Sequence, residues 1–396
     1  MERFVIINME KPFNLSNKID SLESIRGLAA LSVVLWHYYE LFSLNTTQDN
    51  STTNSFFFKF LEKIHFENAY LRGSFSVTLF FILSGFVLSY SYMKKPKALS
   101  LVSSSIRRIP RLAIPCIGSL LICLFLYKTN LWLPYNPLLS NQNVSSDRLI
   151  LDGQFNHSLF YFIKYCFRIL IDSNATINRS LWTISWEISG SFFVFYFLFI
   201  AFSVKNRFNL YIIFTIFFIL TMNYKMMSFM LGILLCDLFV NNKSQIHNFY
   251  YFLLASFGWI FSNYFYNILE NISILKIQSI NSLYPIFLGC CIIYGSIKSN
   301  FINFVLQFQP LVYIGKISFS MYLLHLPVFS SFSCITLQFL LGKNLDFPIA
   351  NDITFFLSLI LLFAISHFFF LYVDQLAIKI SRWIQSMFMP LIENQQ

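Results

Sequence analysis

The sequence predicts an all-α, polytopic membrane protein with about ten transmembrane helices, and three observations carry the prediction. Of its 396 residues, 56% are hydrophobic and only 12% are charged, roughly half the charged share usual in soluble domains. Mean hydropathy is +0.61. Apolar runs long enough to enter a bilayer recur along the chain, separated by short polar breaks. No repeat and no Gly/Ser linker interrupts them, so one membrane domain over 1–396 is expected, with spans over roughly 26–374 and no appended soluble domain.

Length and flanking punctuation set the ten spans near 26–44, 75–93, 112–128, 181–203, 209–222, 226–240, 249–267, 282–298, 310–338 and 352–374. The N-terminal stretch has Arg3, Lys11 and Lys18 but no apolar segment of signal-peptide type, so the first span is expected to serve as an uncleaved anchor. After the second span comes a basic connection, 94–111, with Lys94, Lys95, Lys97, Arg107, Arg108 and Arg111. Lys205, Arg207, Lys243, Lys298, Lys379 and Arg382 fall on the same side when the count is even. That side, with both termini, is expected to be cytoplasmic. Two long polar segments, 45–74 and 129–180, then face outward, and their Lys59, Lys63, Lys164 and Arg168 are compatible because long translocated loops obey the charge rule weakly. The net charge of +10 fits cytoplasmic loops of this kind and does not call for a nucleic-acid partner. The seven cysteines show no metal-ligand spacing; Cys116, Cys123 and Cys236 read as small apolar fillers.

Polar residues inside apolar helices carry the functional information, because each is costly there unless it faces a protein interior or a wet cavity. Arg26 and His37 are eleven residues apart, which on a helix is about 16 Å along the axis and nearly the same face. His37 has the side chain best suited to general-base work near neutral pH. The run Ser105-Ile106-Arg107-Arg108-Ile109-Pro110-Arg111 reads either as a basic anchor or as an anion cradle, with Arg108 and Arg111 one turn apart. Pro110 and Pro115 predict that this run starts a helix, whose dipole would favour anions. Glu187, in Arg179-Ser180-Leu181-Trp182-Thr183-Ile184-Ser185-Trp186-Glu187, is a carboxylate within a span and needs a partner or a proton. Trp182 and Trp186 fit an interfacial aromatic belt. Tyr322 and His325 share a face in the ninth span, and His367 in the tenth reads as packing.

Five segments in this order resemble the membrane acyltransferase-3 family. Arg26 to His37 is similar to its Arg-x10-His signature, and Arg108-Ile109-Pro110-Arg111 to its Arg-x-x-Arg signature. Phe80-Phe81-Ile82-Leu83-Ser84-Gly85-Phe86, the segment 181–187 and the segment from Gly315 to His325 resemble three further family motifs. The chain departs from the pattern at Glu23, at Ser76-Val77-Thr78 and at Asp374-Gln375.

The resemblance implies an acyltransferase, commonly an acetyltransferase, of a bacterial inner membrane, with acyl-CoA such as acetyl-CoA as donor and a carbohydrate as acceptor. No metal is expected. Arg26, Arg108 and Arg111 would bind the donor's phosphates, and His37 would act as base or itself accept the acyl group. Glu187 would orient or charge-balance His37, or bind the sugar. The residues alone also fit a carrier of lipid-linked sugar, although no paired broken helices in two halves support it. Direct acylation of a surface polysaccharide such as lipopolysaccharide O-antigen is the favoured expectation over a small-molecule acceptor, the outward segment 129–180 being rich in sugar-binding residue types.

Overall fold

The computed structural model describes residues 19–43, 73–133, 159–241, 247–271 and 278–393, and no strand occurs among them. The first helices are α1 (Asp20–Ser43), α2 (Gly73–Lys94), α3 (Ala98–Lys128) and the short α4 (Leu159–Arg168). A 3-10 turn at Arg179–Leu181 then leads into α5 (Trp182–Ala201), followed by α6 (Arg207–Leu220), α7 (Tyr224–Asn241) and α8 (Asn248–Asn271). The remainder comprises α9 (Gln278–Lys298), α10 (Asn300–Leu306), α11 (Gln309–Val328), α12 (Cys334–Gly342), α13 (Phe347–Phe369) and α14 (Gln375–Glu393).

All ten predicted segments lie on helices. Among the described residues, six stretches qualify as spans by length and apolarity, or seven when the pair Leu283–Lys298 and Asn300–Leu306, bent by 92°, counts as one. Three predicted spans, 26–44, 209–222 and 249–267, fall outside that count, and for the first two the reason is visible. α6 has 14 residues, about 21 Å against a hydrocarbon layer of about 30 Å. α1 is long enough, but Arg26, His37 and Glu40 lower its apolarity.

Two expected boundaries are corrected. The predicted third span began at 112, with Arg108 and Arg111 at a helix start. Instead α3 begins at Ala98, so both arginines and Pro110 lie in its interior. A membrane helix tolerates an internal proline when neighbouring helices cover the freed backbone groups, and α5, α11 and α14 all pack on α3. An N-terminal dipole therefore does not act on Arg108 and Arg111, since that effect fades within one turn. Nor does the helix stop at the predicted span end, 374. After α13 a five-residue π segment, Phe370–Asp374, passes into α14, which packs against α3.

Packing divides into two apolar clusters. One gathers Phe81, Phe86, Phe229 and Ile292 from α2, α7 and α9. The other gathers Val34, Tyr38, Leu120, Leu323 and Phe329 from α1, α3, α11 and the turn that follows it. α1 contributes Ala29 to the first and Ala30 to the second, and Phe80 packs against both. The seam between the clusters runs beside α1, and the polar residues collect there.

α1 and α11 are the axis of that seam. A Cβ on Gly27 would meet the Gly315 backbone nitrogen at 2.6 Å, and one on Gly315 would overlap the Glu23 carbonyl oxygen. Small residues let membrane helices approach this closely. Ten residues further along each helix, His37 stacks on His325 with ring centroids 5.1 Å apart. Equal offsets from both contacts mean that α1 and α11 run parallel and in register over about 15 Å.

Outside the seam, the described part of the segment 129–180 is tied down rather than loose. Tyr165 Oη accepts from the Thr176 and Ile177 backbone N–H groups at 2.9 and 3.0 Å. Buried Asn178 donates to the Leu323 carbonyl at 2.9 Å. The stretches 44–72 and 134–158, which hold most of the predicted outward segments, lie outside the described residues.

Candidate functional site

A cavity of about 510 Å³ opens in the seam. Its cations come from three helices: Arg26 from α1, Arg108 and Arg111 from α3, and Lys316 from α11. Its carboxylates are Glu23 from α1, Glu187 from α5 and Asp374 from the π segment. Apolar walls are supplied by Phe80 and Phe81 of α2 with Phe319 of α11. The π segment adds one residue per turn, which is how the end of α13 reaches this cavity with Asp374, and such bulges often occur at functional sites.

Arg108 and Glu187 form the cavity's tightest polar unit. Arg108 Nη2 donates to Glu187 Oε1, and its Nε donates to Ser191 Oγ at 2.6 Å. Ser84 Oγ donates to the same Glu187 oxygen at 2.5 Å, and Ser191 Oγ donates on to the Glu187 carbonyl at 2.5 Å. Both charged side chains are largely buried, at 12% and 15% exposure. Three helices, α2, α3 and α5, thus meet at one ion pair. This answers where Glu187 finds its partner: Arg108, where the sequence offers His37 or a bound sugar.

The other cations are held less firmly. Arg26 Nη1 lies 3.4 Å from Glu23 Oε2, one turn back on its own helix. Arg111 feels Arg108 and Arg26 as like charges, and Asp374 and Glu23 as opposite ones. Among the described residues, neither Arg111 nor Lys316 has a carboxylate at ion-pair distance, and both are exposed to solvent. Asp374 Oδ2 accepts a long hydrogen bond from Ser320 Oγ at 3.4 Å.

At the other end of the cavity stands Tyr322, whose hydroxyl donates to the Ser180 carbonyl at 2.8 Å and lies 3.0 Å from Thr183 Oγ1. Behind this ring is His325, with centroids 5.8 Å apart, and then His37. His325 is fully buried; its Nδ1 lies 2.7 Å from the Tyr322 carbonyl, which accepts, so that nitrogen carries the proton. Its Nε2 is buried without a partner among the described residues. His37 is more open, at 28% exposure, and its Nδ1 lies 3.2 Å from Glu40 Oε2. With a proton on Nδ1 donating to that carboxylate, Nε2 keeps a free lone pair, the state a general base requires.

Of the expected site residues, Arg26, Arg108, Arg111 and Glu187 line one cavity. His37 is not in its lining; it lies beyond Tyr322, beside His325. Trp182 and Trp186 do more than form a belt, because Lys225 Nζ sits 4.6 and 4.2 Å from their ring centroids. His367 has a partner in Tyr313 Oη at 2.5 Å, in keeping with a packing role. Ser84, Ser191, Lys316, Glu40 and Asp374 were not among the site residues expected from sequence, Asp374 having stood out only as a departure from the family pattern. For Glu40 a signal existed, since it lies three residues after His37 on the same helix face. Lys316 stood within a recognised motif, masked by the general tendency of lysine to mark helix ends.

The described residues hold no cluster of His, Cys, Asp and Glu that would bind a metal ion. A family profile described as an acyltransferase domain matches residues 19–373. No curated protein and no solved structure matches the chain with significance. The matched stretch holds every described residue of the cavity but Asp374, Gln375 and Ile378, and the chain belongs to the acyltransferase-3 family of membrane acyltransferases.

Proposed function

We propose that this acyltransferase moves an acyl group, acetyl in the first instance, from acyl-CoA to a sugar hydroxyl of a surface polysaccharide such as lipopolysaccharide O-antigen. The observation that carries the reading is the linear order of polar groups along α1 and α11. Cations gather near Gly27 and Gly315, and the two imidazoles lie about 15 Å along the same helix pair. A donor with phosphates at one end and a reactive thioester at the end of a flexible arm matches that order.

In this reading the cationic end faces the cytoplasm of a bacterial inner membrane, as do both termini, and the imidazole end faces the acceptor. The sugar hydroxyl attacks the thioester carbonyl while His37 Nε2 takes its proton. The tetrahedral intermediate then collapses with loss of the CoA thiolate, which recovers a proton from His37. Products are an acyl ester and free CoA, and the histidine returns neutral. Glu40 holds His37 with Nε2 available and offsets the positive charge that forms on the ring. The Arg108–Glu187 pair braces the wall between donor and acceptor ends.

Deleting the gene should remove an O-acetyl signal from the NMR spectrum of the purified polysaccharide. Expressing the chain in an unacetylated host that makes the same polymer should restore it. An unchanged spectrum in the deletion strain would contradict the polysaccharide acceptor and leave a small-molecule acceptor in its place.

A further inference from the structure

The cavity's four cations are not equivalent. Arg108 is committed: its Nη2 is on Glu187 and its Nε on Ser191, both within the wall. Arg26 has Glu23 at 3.4 Å. Arg111 and Lys316 are the two that remain without a carboxylate at ion-pair distance among the described residues, and both are open to the cavity. They approach it from different helices, α3 and α11, with Glu23 and Asp374 as the opposite charges nearest Arg111. A cation in an apolar surround is unfavourable unless it is paired or wetted. Two unpaired ones open into a single cavity whose described lining holds four cations against three carboxylates.

The geometry points to a division of labour in which Lys316 and Arg111 grip the donor's phosphates, whereas Arg108 is a positioning residue that fixes Glu187. The inference rests on the acyl-CoA reading above and adds to it a phosphate ligand, Lys316, and a different role for Arg108. Lys316 is well placed for this: Gly315, just before it, brings α11 against the α1 backbone at Glu23, so the lysine stem starts at the cavity's rim. The two cations differ in kind. The guanidinium of Arg111 offers a planar fork, and the ammonium of Lys316 a compact point charge.

The test uses the full-length protein in nanodiscs and titrates two ligands, CoA and pantetheine, which lacks all of CoA's phosphates. Lys316→Ala and Arg111→Ala should each weaken CoA binding by about 10- to 100-fold while leaving pantetheine binding unchanged. Lys316→Arg should retain most of the CoA affinity, because it keeps the charge. Arg108→Lys should bind CoA within a few-fold of wild type. Equal CoA affinity in Lys316→Ala and wild type would overturn the assignment and leave the acyl-CoA reading standing. So would parallel loss of CoA and pantetheine binding, which marks a structural defect. A wild-type protein that binds CoA no better than pantetheine would instead contradict the acyl-CoA reading itself.

Discussion

His37 and Glu40 share one turn of α1, and their 3.2 Å contact sets which ring nitrogen is free. If His37 is the base, as proposed, His37→Ala removes it and leaves the helix intact, so transfer should fall by about 10²- to 10⁴-fold with unchanged protein levels in the membrane. Activity within a few-fold of wild type would move the role elsewhere, with His325 the nearest imidazole. Glu40→Gln keeps a hydrogen-bond acceptor but not the charge, and kcat should drop by about tenfold with the donor KM unchanged. A different outcome is expected at Glu187. Its alanine variant leaves Arg108 unpaired in a largely buried wall, which costs about 3–5 kcal/mol and should show as a lowered Tm in detergent. Glu187→Gln, still able to accept from Ser84, should lose less. Equal melting of wild type and Glu187→Ala would show that the pair does not hold α2, α3 and α5 together.

At the scale of elements, α1 and α11 must stay in register for the cations and the imidazoles to act on one donor, as proposed. Gly27 and Gly315 set their separation, so Gly315→Val should push the helices apart at the cationic end. Donor KM should rise and stability fall together, whereas Ala at the exposed Phe304 of α10 should change neither. The helices themselves were legible in the sequence because apolar runs of membrane length have few other fates. Their ends were less so. Pro110 suggested the start of a helix, yet α3 had already made three turns before it, since packing from α5 and α14 outweighs the missing N–H. Spacing within one helix transferred well for Tyr322 beside His325, whereas of Arg26 and His37 only Arg26 lines the cavity. Pairing between helices did not transfer. Nothing in the order of residues says that Arg108 meets Glu187 rather than His37 doing so, because that choice is made by the close approach of helices 79 positions apart in the chain.

For the whole molecule, the direction of the cavity in the membrane decides which compartment supplies each substrate. In the proposed orientation, which follows the Lys/Arg distribution, the Arg26 and Lys316 end faces the cytoplasm. A cysteine placed at Ser145, in a segment predicted to face outward, should then react with an impermeant thiol reagent in intact cells. Labelling only after permeabilisation would reverse the orientation and with it the donor's compartment. The proposed reaction is narrower than topology: acyl groups would pass from CoA past Tyr322 to a sugar hydroxyl, with His37 as base. Purified protein supplied with radiolabelled acetyl-CoA and unacetylated polysaccharide tests it most directly. The wild-type protein should place label on the polymer as alkali-labile ester with release of free CoA, and His37→Ala should place almost none. Label transfer by His37→Ala at the wild-type rate, or none by the wild type, would contradict it.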